Sequence, residues 1–366
     1  MRGSASLFAG KFDAGGRSRL SGVSRVGEFS TRTRKEFLVG AGGLLLFASY
    51  GCGGGGGDEA SEQSGTIEHK YGSTEIPQSP ERIVTVGLTD QDPVLALGIT
   101  PVGTTDWFGD KQGAIFPWAR DYVEGDMPEV VGDSESINFE SVAALEPDLI
   151  LGLYSGLSMD QYETLTEIAP VVAQPEGYTD YGVPWQEQTR IIGRALGRQE
   201  MAEDLISQTE GRFEQARESN PQFEGASGVV ATFEPGYYYV FGPQDARGRF
   251  LTSLGFEISD EIQELTGDDF GAEISRERLE IADADAVVWQ VTSEADVEEL
   301  RQDSIYRELD VSREERALFL VEGGPLYDAF TFSSVLSLPF LLDEIVPDLA
   351  AAVDGDAETQ PEETTG

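Results

Sequence analysis

Short apolar runs alternate with amphipathic stretches from residue 82 to residue 321, and this alternation is what most limits the folds open to the chain. Residues 82–86 (RIVTV) read as a buried strand, residues 90–97 as a short helix opening at an acidic cap, Asp90, and residues 101–104 as the next strand. Residues 149–153 and 171–173 continue the series, and strand-like runs resume at 229–233, 237–241, 286–291 and 317–321. Strands that alternate with helices imply a mostly parallel sheet covered by helices on both faces. The series runs twice, so the expected fold class is α/β, with two lobes of mostly parallel sheet. Between them, Ile191, Ile192, Ala195, Leu196, Met201, Ala202, Leu205 and Phe213 fall near helical spacing, with Pro184 just before the pattern and Pro221 just after it. One long helix over 185–220 is therefore expected to bridge a first lobe at 66–184 and a second at 221–350, with residues 351–366 forming a disordered acidic tail.

The second half also repeats the first in sequence at one place. INFESVAALEPDLI (137–150) aligns without a gap on ISRERLEIADADAV (274–287). In each copy a polar cap, Asn138 or Ser275, is followed two residues later by a glutamate, Glu140 or Glu277. A short helix then leads to an aspartate, Asp148 or Asp285, that enters a strand.

Residues 33–59 read TRKEFLVGAGGLLLFASYGCGGGGGDE. The apolar part, 38–48, is too short for a hydrocarbon core that needs roughly 20 residues. Arg25, Arg32, Arg34 and Lys35 precede it, the order of a secretory signal. The segment resembles a twin-arginine lipoprotein signal: Lys35 takes the place of the second arginine, and Gly51-Cys52 matches the end of a lipobox from which Ser49 and Tyr50 depart. On that resemblance residues 1–51 are removed and Cys52, the only cysteine, carries the lipid anchor. Residues 52–65, glycine-rich and acidic, then form a flexible linker.

The chain carries 25 Lys and Arg against 67 Asp and Glu, a net charge of −42. Nucleic acid is excluded as a partner, because its binding depends on basic residues that neutralise phosphates. A lone cysteine excludes a disulfide framework and a multi-thiolate metal site. His69, the sole histidine, has no second histidine with which to build a zinc or manganese centre. G-x-S-x-G and a phosphate-binding glycine loop are both missing, which argues against a hydrolase. An adhesive surface lipoprotein would explain the anchor but not the repeat.

PERIVTV (80–86), DPVLALGITPVG (92–103), the segment 137–150, GRFLTSLGF (248–256) and SSVLSLPF (333–340) together resemble the substrate-binding proteins of ferric siderophore and vitamin B12 ABC importers, over essentially residues 66–349. The resemblance implies a non-enzymatic, extracytoplasmic and monomeric binding protein without an intrinsic cofactor. It also implies a shallow cleft, little hinge motion, and delivery of a ferric siderophore to an ABC permease dimer with its ATPase subunits. Contact with the membrane is through the lipid alone. Glu140 and Glu277 fall where that family docks on arginine pockets of the permease, although a glutamate in a first helical turn also suits the helix dipole. A bulky chelate needs aromatic walls and a few cationic donors. The expected ligand contacts are Trp107, Tyr154, Tyr237, Tyr239, Arg247 and Arg249, with Phe108 beside Trp107, Phe332 as a further aromatic, and Tyr238 on the opposite strand face from Tyr237 and Tyr239. Haem and cobalamin are the alternative ligands on the same scaffold.

Overall fold

The computed structural model describes residues 65–106, 111–133 and 136–354. Cys52, Trp107, Phe108, the expected signal and all but the last residue of the expected linker lie outside them. An antiparallel hairpin comes first, β1 (Thr66–His69) and β2 (Gly72–Glu75). Both ring nitrogens of His69 are engaged in it. Nδ1 accepts the Tyr71 N–H at 3.2 Å, so Nε2 carries the proton and donates to Thr74 Oγ1 at 2.9 Å.

The first lobe is built on β3 (Ile83–Thr85), β4 (Gly103–Thr105), β5 (Glu129–Gly132), β6 (Leu149–Gly152) and β7 (Val171–Ala173). They pair in the order β5-β4-β3-β6-β7, and every pair is parallel. Such a sheet is covered on both faces, which is why its strands are near-continuous apolar runs. Ile83, Leu149, Leu151 and Val172 face one core together with Ile191 and Ile192. Val84, Ile150 and Val171 face the other with Val142 and Leu165.

The second lobe contains β8 (Gly228–Glu234), β9 (Tyr237–Phe241), β10 (Gly271–Ile274), β11 (Ala286–Val291) and β12 (Ala317–Val321), in the order β10-β9-β8-β11-β12. Strand for strand this is the order of the first lobe. One difference has a local cause. The first-lobe connection from β3 to β4 passes through the helix Gln91–Ala96, whereas β8 and β9 are joined by Pro235 and Gly236 alone, with Gly236 at φ 81°. So short a link forms a hairpin, and β9 runs antiparallel to both neighbours.

The internal sequence repeat occupies equivalent places, between edge strand and inner strand: β5 to β6 in the first lobe, β10 to β11 in the second. Asp148 accepts the Arg82 N–H at 3.0 Å just before β3, and Asp285 accepts the Ser227 N–H at 2.8 Å just before β8. The two caps differ. Asn138 accepts the Ser141 N–H at 3.1 Å and opens the α-helix Phe139–Ala144, whereas Ser275 forms no side-chain cap and precedes a 3-10 turn, Arg276–Ala282.

The bridge departs from the expected single helix. It consists of two, Trp185–Ala195 and Gln199–Ser219. Gly197, at φ 64°, stops the first in the left-handed conformation, and the Arg198 N–H bonds back to Gly193 O at 2.7 Å. A Cβ at Gly193 would lie 2.4 Å from that of Ala202, so glycine is what lets the two helices pack closely. The longer helix places Ala202 in a first-lobe core and Phe213 in a second-lobe core. The chain end departs too: residues 351–353, expected as tail, complete the helix Ser337–Val353, with Ala352 buried.

The lobes meet across a packed seam. Leu95, Ile115 and Ala119 cluster with Val335 and Leu336, and Phe116 packs on Phe332 with ring centroids 4.9 Å apart. Lys111 Nζ lies 2.8 Å from Asp328 Oδ2. Helices Pro325–Phe332 and Ser337–Val353 meet at a 117° bend, where Ser334 donates to Asp92 Oδ2. Trp118 Nε1 donates to the same oxygen at 2.7 Å, while Asp92 Oδ1 is buried without a hydrogen-bond partner among the described residues. Burial pushes the Asp92 carboxyl up to about 6, against these two hydrogen bonds, which hold it down.

A raised carboxyl pKa means that the folded chain binds the proton more tightly than the unfolded one. The resulting stability is full below the ordinary value of about 4 and is lost as pH rises through about 6. Across that window the loss is about 3 kcal/mol, of which about 2 kcal/mol falls between pH 4.5 and pH 7.5. In urea unfolding at those two pH values, Asp92→Asn is expected to gain about 2 kcal/mol on wild type at the higher pH. A difference that does not change with pH refutes this account of Asp92.

Candidate functional site

The two lobes and the bridge enclose a cavity of about 130 Å³. Thr89 and Tyr154 reach it from the first lobe, Trp185 and Gln188 from the bridge, Arg249 and Phe332 from the second lobe. Thr89 and Tyr154 follow β3 and β6, the adjacent strands at which the first sheet's order reverses, where crevices open in α/β sheets.

Asp90 holds this corner. It was expected as a helix cap, but its carboxylate makes no cap bond and instead accepts the N–H groups of Leu153 at 2.7 Å and Tyr154 at 3.1 Å, together with Gln188 Nε2 at 2.7 Å. Tyr154 O in turn accepts the Leu88 N–H at 3.0 Å. Tyr154 is thereby fixed on both sides of its backbone. Burial raises the Asp90 pKa, while the three donors hold it down. The Tyr154 phenol is pushed up to about 12, first by burial and then by Asp245, with Arg249 and Arg247 opposing. It stays protonated as a hydrogen-bond donor.

The two arginines of QDARGRF occupy different environments. Asp245 caps the helix Ala246–Ser253 by accepting the Arg247 N–H at 2.8 Å, and it also receives the Arg247 guanidinium through Nε at 2.7 Å and Nη2 at 2.9 Å. Arg247 Nη1 donates to Gln290 Oε1 at 2.8 Å, and the guanidinium carbon lies 3.6 Å from the centroid of the Phe241 ring. Gln290 is anchored by donation to Thr331 Oγ1 at 2.7 Å. Arg247 is accordingly buried, at 8% exposure, and its charge is matched. Arg249 lies two residues on in the same helix and lines the cavity. Its Nη1 donates to Gln244 O at 2.6 Å and, across the lobes, to Gly182 O at 3.4 Å.

Tyr237 and Tyr239 share a strand face, their rings stacked with centroids 6.2 Å apart. Tyr238 lies on the opposite face and donates to Asp303 Oδ2 at 3.2 Å. Tyr239 is buried against Phe241, and neither Tyr237 nor Tyr239 is among the residues lining the cavity. Glu140 and Glu277 are exposed, at matching places in the two lobes and apart from the cavity. Trp107 lies outside the described residues. Trp185, Gln188 and Thr89 were not anticipated. Trp185 carried a signal, an aromatic directly after Pro184 at a helix start, but the proline drew the reading toward a boundary.

Two α/β lobes of like topology, bridged by helices and closing on a cavity of aromatic rings, neutral hydrogen-bonding groups and one guanidinium, define a two-lobed solute-binding protein. Residues 83–317 match the model of the periplasmic binding protein family, and the chain belongs to that family. A periplasmic solute binding protein from Mycobacterium smegmatis is 34% identical, with a TM-score of 0.70 over 79% of this chain and 98% of that one. PiaA from Streptococcus pneumoniae in complex with ferrichrome is 25% identical, with the same TM-score and coverage. The probable siderophore-binding lipoprotein YfiY of Bacillus subtilis is 28% identical over 211 residues, which are 56% of this chain. The match spans 61% of that relative's length.

Proposed function

We propose that this protein is the extracytoplasmic substrate-binding component of an ABC importer, which captures a ferric siderophore between its lobes and hands it to a permease dimer driven by ATPase subunits. The observation that carries the reading is the interlobe cavity, with the protonated Tyr154 phenol on one wall and the Arg249 guanidinium on the other. A ferric chelate exposes oxygen acceptors on an apolar body, and phenol and guanidinium donors between aromatic rings complement it. The names of YfiY and of the ferrichrome-bound PiaA support the same ligand class. Glu140 and Glu277, exposed at equivalent points of two lobes joined by a packed seam, suit a two-point docking contact. A lipid on Cys52 would hold the body at the outer face of the membrane, where its effective concentration at the permease is high. No single helix among the described residues is long and apolar enough to cross a membrane.

Trp185 lines the cavity, so its fluorescence is expected to respond to occupancy. Titrating the purified full chain with a ferric hydroxamate, a ferric catecholate, haem and cobalamin is expected to give saturable quenching, with submicromolar affinity on the order of 10⁻⁷ M, for a ferric chelate alone. A response confined to haem or cobalamin overturns the ligand and leaves the transport role. No response to any of the four overturns the reading.

A further inference from the structure

Among the residues that line the cavity, Arg249 carries the one charged side chain. Both of its protein bonds leave from Nη1, to Gln244 O and Gly182 O. The N–H groups on Nε and Nη2 have no partner among the described residues, so one edge of the planar fork is available to an acceptor. Of the other cations nearby, Arg247 is matched by both oxygens of Asp245 and Lys111 by Asp328, whose side chain is 3% exposed, while Arg194 and Arg217 on the bridge helices donate to the carbonyls of Thr66 and Ser253 and do not line the cavity. The remaining polar groups of the lining, among them Thr89, Tyr154, Gln188 and Ser333, are neutral. The cavity lining therefore presents a single positive charge, with no carboxylate partner among the described residues, within a chain of net charge −42.

We infer, on the siderophore reading given above, that the chelate this cleft accepts carries at most one net negative charge: a neutral ferric trihydroxamate, or a ferric complex with one free carboxylate for the Arg249 fork. A ferric tris-catecholate keeps a triple negative charge. Seated against Phe250, Phe332 and Leu338, it would leave most of that charge unmatched in a desolvated site. Its approach would also be opposed by the field of the acidic surface.

The test is a fluorescence titration of the full chain with three ferric complexes, a neutral trihydroxamate, the same scaffold bearing one free carboxylate, and a tris-catecholate, each beside its iron-free form and repeated with Arg249→Gln. The first two are expected to bind wild type at least about 100-fold more tightly than the tris-catecholate. Arg249→Gln is expected to weaken the carboxylate-bearing complex by about ten- to 100-fold, the loss of charge-assisted hydrogen bonds, and the neutral complex by no more than about threefold. Tightest binding of the tris-catecholate overturns the charge limit and leaves siderophore capture standing. Equal losses for both hydroxamates in Arg249→Gln overturn the role of the fork. Failure of all three complexes to bind overturns the capture reading and this inference with it.

Discussion

Arg247→Ala is expected to lower the stability of the folded chain by about 3–5 kcal/mol, the cost of removing one partner from a buried ion pair. The loss has three sources. Asp245, at 6% exposure, loses both guanidinium bonds and keeps the backbone N–H of residue 247. Gln290, at 1% exposure, loses the donor to its Oε1. The Phe241 ring loses the planar group stacked 3.6 Å from its centroid. Arg247→Lys does not restore the arrangement, because a point charge on a flexible stem cannot serve Asp245 and Gln290 at once. Arg249→Ala, which removes only bonds to carbonyls from a partly exposed side chain, is expected to stay within about 1 kcal/mol of wild type. Denaturant unfolding of the three variants decides the matter. Equal stability of Arg247→Ala and wild type would show that the pair is no structural clamp.

Glu140→Ala combined with Glu277→Ala is expected to leave siderophore affinity within about twofold of wild type and to cut iron uptake by at least about tenfold. Both side chains are exposed and away from the cavity, so ligand contacts are untouched. Their separation is set by the seam between the lobes, which includes the Lys111–Asp328 pair and the Phe116–Phe332 contact. Two charges fixed on one body define an orientation, and each single variant should fall between wild type and the double. The check is radiolabelled iron uptake in cells that depend on this protein, beside a binding titration of the purified variants. Lost binding would mean that the two glutamates act on the ligand or the fold instead.

The strands that sequence reading located best are those with nearly continuous apolar runs. Residues 171–173, 237–241, 286–291 and 317–321 were bounded as they stand in the structure, each being a nearly continuous apolar run, and all but 317–321 are largely buried. The edge strands β5 and β10 escaped notice. Two of four residues in β5 and one of four in β10 are exposed, and four-residue stretches such as EVVG and GAEI carry too little pattern. The bridge showed the right periodicity along its length, but Gly197 divides it, and only the backbone conformation reveals that this glycine ends one helix rather than being tolerated inside it.

Within the candidate site, residue type was legible and role was not. QDARGRF announced two cations in an acidic chain, and two residues of separation on one helix place them on different sides of it. Which side meets a buried glutamine and which meets the cavity depends on Gln290, 43 positions away. Asp90 and Asp92 look alike in sequence, as acids at a helix start. The structure makes one the clamp of the Tyr154 backbone and the other a contact with Ser334, 242 positions away.

The sequence by itself determined the α/β class, the duplication into two lobes and the binding-protein family, because strand burial, helical periodicity and the repeat are local or near-local properties written in residue order. The tertiary structure decided what each polar side chain does. A carboxylate or guanidinium takes its energy from the partners and the solvent it loses on folding, and those partners arrive from the other lobe or from distant strands. It is this convergence that neutralises Arg247, sets Arg249 on the wall of the cavity, and raises Asp92 to a pKa near 6.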